Sequence, residues 1–211
     1  MTNKNKQKIR QMVQLSILTA LVLLLAFTPI GYLRIGALTI TFLPVPVVIG
    51  AVLMGPRAGA FLGCVFGLTS FAQCFGIDPF GTTLMTINIF YTFLMTVVTR
   101  TLMGLLSGYL YRGMQAVLRR MKPLYADKLE PIACAVACAS APLFNTLLFM
   151  STMYFCFRNE TIVVDAFGTL PFFAFVFGSV GINAVCELLA SLIIGTAICT
   201  ALRHSGVLKR A

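Results

Sequence analysis

The sequence predicts an all-α integral membrane protein, a bundle of six transmembrane helices with both termini in the cytoplasm. Three observations predict it. The residues AVILMFWYC make up 59% of the 211 residues, and charged residues only 10%, where soluble domains carry about 25% charge. Mean hydropathy is +0.94. Residues 11–33, 35–56, 58–77, 79–99 and 131–157 contain no Asp, Glu, Lys or Arg, and 166–202 contains only Glu187. A soluble globule of this size cannot hide so much apolar surface, and a disordered chain needs the opposite composition. A membrane β-barrel needs strict alternation over about ten residues, and the run Val22–Phe27 does not alternate.

A spanning helix takes about 20 apolar residues, which places six helices roughly at 11–30, 40–54, 57–75, 98–118, 130–156 and 172–202. The first follows a basic tail, Lys4, Lys6, Lys8 and Arg10. Its apolar run is longer than a signal peptide's and has no clear cleavage site, so the helix is expected to be retained. The second carries Pro44-Val45-Pro46 and is expected to be short or kinked. Pro131 suits the first turn of the fifth. The hydrophobic segment 79–97 is left over. It reads as an outer loop, a re-entrant piece, or a long N-terminal extension of the fourth helix, and with the loop 157–171 it is a candidate lid. No soluble domain is appended, so 1–211 is expected to be a single transmembrane domain.

Charge sets the orientation. Thirteen of the sixteen Lys and Arg residues fall on one side of this six-span arrangement, and only Arg34, Arg100 and Arg158 on the other. That bias places the basic flanks inside the cell. The net charge of +10 sits in those flanks, where anionic lipid accounts for it and nucleic acid is not needed.

Catalysis finds little support. His204 is the one histidine, and no Walker A, HExxH or Ser-His-Asp set is present. The seven cysteines include no CxxC pair, so neither a metal nor a disulfide framework is expected. No cofactor is implied.

Polar groups inside a membrane are expensive and need a partner or a purpose. Here they are few: Arg100 at the outer start of the fourth helix, Asn145 in the fifth, and Asn183 and Glu187 one turn apart in the sixth. Asn88 and Tyr91 lie in the leftover segment. Each Asn also suits an interhelical hydrogen bond. Glu187 can accept from a ligand, pair with Arg100, or hold a cationic amine; Arg100 can hold a carboxylate through two parallel bonds. The row Gly55, Gly59, Gly63, Gly67 lies along one helix face, as do Gly104 and Gly108, and marks close helix packing. Ser16 and Ala20 form a weaker small-xxx-small patch in the first helix.

Residues 36–70, and GPRAGAFLG-x-x-FGLTS in particular, resemble the second and third helices of substrate-binding S components of energy-coupling factor (ECF) vitamin transporters. The resemblance extends over nearly the whole chain, with Arg100 before LMGLLSGYLY, Asn145 in the fifth helix and Asn183 in the sixth. It implies a subunit without ATPase activity of its own. Such a subunit captures a vitamin from outside and delivers it through a T component driven by two cytoplasmic ATPases, in a cell membrane that is expected to be bacterial. The family's Ala-x-x-x-Ala contact with the T component reads Ser16-x-x-x-Ala20 here. Within the family the resemblance is to the pantothenate type. It implies Arg100 on the carboxylate, Asn145 and Asn183 on amide and hydroxyl groups, Glu187 accepting from a hydroxyl or orienting Arg100, and Asn88, Phe90 and Tyr91 closing over the ligand; riboflavin or folate are further possibilities. The competing expectations are a stand-alone carrier coupled to protons through Glu187, and an assembly protein with no small ligand.

Overall fold

The computed structural model describes the backbone of residues 3–35, 38–121 and 126–204, and the side chains of 5–29, 31, 41–121, 129–166, 168–176 and 184–202. Helix α1 spans Asn3–Phe27. It starts earlier than the apolar run because the Lys and Gln residues of the tail are good helix formers. It ends before Pro29, and a 3-10 turn follows over Pro29–Gly31.

The chain then forms an antiparallel hairpin, β1 (Tyr32–Ile35) and β2 (Leu38–Thr41), with Tyr32 opposite Thr41 and Ile35 opposite Leu38. The hairpin takes residues that the sequence assigns to the start of the second helix. Helix α2 therefore begins at Pro44 and runs to Met54. Pro44 and Pro46 lie in its first turn, where a backbone N–H has no helical partner to lose, so they open the helix rather than kink it. At about 1.5 Å per residue its 11 residues cover roughly half of a bilayer core.

Gly55, at φ 98°, makes the sharp link to α3 (Pro56–Gln73). Beyond it the leftover segment divides. Helix α4 (Pro79–Ile87) is capped by Asp78, whose Oδ2 accepts from Gly81 N at 3.1 Å. Asn88 is extended and breaks the chain direction. Helix α5 (Ile89–Phe93) then continues through a π-helical stretch, Leu94–Val98, into α6 (Thr99–Met121). The fourth long helix thus begins at 89, not 98. Its 33 residues rise about 50 Å, more than the roughly 30 Å hydrocarbon core.

Helix α7 (Ala126–Phe157) starts one turn ahead of the expected boundary and carries Pro131 and Pro142 within it. Pro142 has no N–H for the carbonyl four residues back, that of Cys138. Ser191 Oγ donates to Cys138 O instead, at 2.7 Å. The loop after α7 holds a short helix, α8 (Thr161–Phe167). Helix α9 (Phe172–Ala190) passes through a second π stretch, Ser191–Gly195, into α10 (Thr196–His204).

The described residues are thus helical except for turns and the one hairpin. Four helical segments are long and apolar enough to cross a membrane: Asn5–Phe27, Ile89–Met121, Leu129–Phe157 and Ala184–Leu202. Helix α3 runs antiparallel to α6 at close range. A Cβ at Gly59 would press on the Gly104 carbonyl, one at Gly63 on the Arg100 carbonyl, and one at Gly67 on the Val97 backbone, while Gly108 faces Pro56.

Two apolar clusters flank this contact. One joins Val22, Leu43, Val47, Phe66, Met103 and Cys138. The other joins Leu84 of α4, Met95, Met153 and Phe157 of α7, Val163 of α8 and Phe175 of α9. Both short loop helices, α4 and α8, are therefore anchored to the same plug at one end of the bundle.

Candidate substrate-binding site

Arg100 lies where the two apolar clusters meet. Its Cζ is 4.7 Å from the centroid of the Phe66 ring on α3 and 5.3 Å from that of Phe149 on α7. Its Nη1 donates to Thr96 O at 3.1 Å. The long side chain follows the ordinary helical tilt back toward its own N-terminus. Gly63 and Gly67 bring the backbone of α3 against the segment that carries Arg100, so its side chain reaches the rings on α3 and α7. Facing aromatic rings favour a guanidinium electrostatically and hold its plane fixed.

Asn145 is on the same α7 face as Phe149, one turn earlier. Its Oδ1 is buried and has no hydrogen-bond partner among the described residues. Ser70 is one turn beyond Phe66 on α3; it is 7% exposed, and its Oγ is likewise buried and unpartnered among them. Glu187 lies on α9. Its Oε1 accepts from Thr41 N at 2.9 Å, which fastens the hairpin to the helix. The side chain of Asn183 lies outside the described residues.

A π-helical stretch lies beside Arg100 and another beside Glu187: 94–98 just before Arg100, and 191–195 just after Glu187. Such stretches occur often at functional sites. Around the first, Thr92, Thr96, Thr99 and Thr101 all bond back to carbonyls four residues earlier, a pattern that bends helices.

The structure places Arg100 against Phe149, one turn from Asn145 on α7, and Glu187 on α9 against the hairpin; Asn88 and Tyr91 lie further along the chain toward α4. Asn88 Oδ1 caps α5, accepting from Tyr91 N at 3.1 Å. The Tyr91 ring packs edge-on to Phe157, with centroids 6.0 Å apart. Nine residues separate Tyr91 from Arg100, roughly 13 Å of helix. These two residues belong to the mouth of the bundle, beside the aromatic plug. Ser16 and Ala20 are exposed on α1 among Met12, Ile17 and Leu24. The Ser16 hydroxyl turns back onto Met12 O at 2.9 Å, which leaves a small apolar notch on the helix surface.

Sequence reasoning missed Phe66, Phe149 and Ser70. Two of them are Phe in a chain with eighteen, and nothing in their spacing marks them. The hairpin bond to Glu187 joins residues 146 positions apart and has no local signature.

A family model for the substrate-specific component of ECF transporters matches residues 10–199. The chain belongs to that family. No curated protein matches it in sequence. As an ECF substrate-specific component it is a membrane-embedded transport subunit and not an enzyme, so its buried polar groups are read as binding groups rather than catalytic ones.

Proposed function

We propose that this ECF substrate-specific component captures a vitamin or vitamin precursor from outside the cell, with pantothenate favoured, and passes it inward through a T component driven by two cytoplasmic ATPases. The observation that carries the proposal is the Arg100 guanidinium held between Phe66 and Phe149, with Asn145 Oδ1, one turn from Phe149, unpartnered among the described residues. A fixed guanidinium presents its donor edge to a carboxylate. A buried acceptor without a donor gains most from a ligand that supplies one.

In this proposal the chain is one transmembrane domain of six helices in a bacterial plasma membrane, with both termini inside. Helices α2 and α3 complete the four long apolar segments. Arg100 holds the carboxylate and Asn145 accepts from an amide or hydroxyl. Glu187 keeps the hairpin against α9 and opposes the Arg100 charge. Asn183 is a further candidate contact, and Asn88 and Tyr91 shape the mouth. Ser16 and Ala20 meet the T component.

The deciding experiment is mass spectrometry of small molecules retained by the purified protein, followed by calorimetric titration of the compound found. Retention of a vitamin carboxylate, lost in Arg100→Ala with the fold intact, supports the proposal. A protein that retains nothing and binds no vitamin overturns it.

A further inference from the structure

Three polar groups with buried atoms lie on α3, α6 and α7, the helices that meet at Arg100, and the function above uses only two of them. The third is Ser70. It follows Phe66 by one turn on α3, and the Phe66 ring carries the Arg100 guanidinium at 4.7 Å. One turn further on, Cys74 Sγ bonds to Ser70 O at 3.3 Å. This face of α3 therefore runs alongside Arg100. Helical serines usually return their hydroxyl to a carbonyl of the preceding turn. The neighbouring Thr69 does so, to Phe66 O at 2.7 Å; Ser70 Oγ does not, although it is buried. On the opposite wall, Asn145 Oδ1 is in the same condition. Unsatisfied buried groups are uncommon and call for an explanation.

We infer that Ser70 is a ligand contact that sets specificity, and that the ligand is a monocarboxylate bearing at least one N–H or O–H donor beyond its acid group. The inference rests on the binding function proposed above and narrows the substrate class. Asn145 Oδ1 requires a donor. The Ser70 hydroxyl supplies a donor and takes a further one. Arg100 takes the acid. The charge balance limits the ligand to a single negative charge. One guanidinium, held between two uncharged rings, cannot offset a doubly charged phosphate ester.

The test titrates pantothenate, its primary-alcohol analogue and its phosphate ester into the full-length protein. Each is titrated into wild type, Ser70→Ala, Asn145→Leu and, as a control, Ser107→Ala. Ser107 Oγ is also buried and unpartnered, but it lies two turns beyond Arg100 on α6, away from Phe66 and Phe149. Wild type is expected to bind the monocarboxylate and to bind both analogues at least about tenfold more weakly. Loss of one ligand hydrogen bond in Ser70→Ala is expected to lower affinity about tenfold, with Ser107→Ala unchanged and thermal stability of the empty protein preserved in both. Wild-type affinity in Ser70→Ala, or equal weakening in Ser107→Ala, removes Ser70 from the site while leaving the binding function standing. Tighter binding of the phosphate ester overturns the charge limit. A wild type that binds no vitamin carboxylate overturns the binding function itself, and this inference with it.

Discussion

At the scale of single residues, Arg100 is held by shape as much as by charge. A planar guanidinium between two rings keeps its donor edge in one orientation, whereas a lysine ammonium is a point charge on a mobile stem. Arg100→Lys is therefore expected to keep the fold and to lose at least about tenfold in affinity for a carboxylate ligand, read by calorimetric titration. Glu187 makes a different kind of bond. Its Oε1 holds Thr41 N, and a glutamine amide oxygen can do the same. Glu187→Gln should leave amide exchange at Thr41 slow, and Glu187→Leu should make it fast. Equal protection in all three proteins would mean that the side chain does not hold the hairpin. As candidates, Arg100, Asn145 and Glu187 were conspicuous in the sequence, because a polar group stands out in an apolar run. Phe66, Phe149 and Ser70 were not, because their importance comes from what lies across the bundle from them.

At the scale of elements, the sequence revealed helices wherever apolar composition alone decides the structure. It erred where a helix end depends on a specific bond. The Pro44-Val45-Pro46 motif looks like an interruption until the preceding residues are seen to pair as a hairpin. Asn88 has a local role that its place in the sequence does not reveal: its oxygen caps α5. Pro142 is the clearest case. A mid-helix proline orphans the Cys138 carbonyl, and Ser191, 53 residues away, satisfies it across the helix interface. Removing that hydroxyl in Ser191→Ala should cost about 1–2 kcal/mol. Pro142→Ala restores the local N–H, so the double variant should recover part of the loss. Thermal unfolding of the four proteins in one detergent completes the cycle, and simple additivity would show that the two sites are uncoupled. The α3–α6 contact is more demanding. A side chain at Gly63 meets the Arg100 backbone rather than a movable side chain. Gly63→Leu should thus destabilise by roughly 1–3 kcal/mol and weaken ligand binding too, because it displaces the segment that carries Arg100.

At the scale of the whole molecule, the proposed function divides the arrangement into an interior that binds and a surface that lies in lipid or meets a partner. Helix α1 is the least enclosed of the long helices, with Met12, Ile17 and Leu24 all exposed. The Ser16–Ala20 notch interrupts that otherwise bulky face. A partner helix can approach closely only at such a notch, since packing between membrane helices depends on small residues. Filling it should separate capture from delivery. The double variant Ser16→Leu, Ala20→Leu is expected to bind its ligand as wild type does, because neither residue is near Arg100, Asn145 or Glu187. In proteoliposomes containing the T component and the ATPases, the same variant should accumulate labelled ligand several-fold more slowly than wild type. Wild type alone should bind the ligand and accumulate none, even under an imposed pH gradient. Accumulation by the isolated chain under that gradient, abolished in Glu187→Gln, would identify a proton-coupled carrier. The notch would then need another explanation.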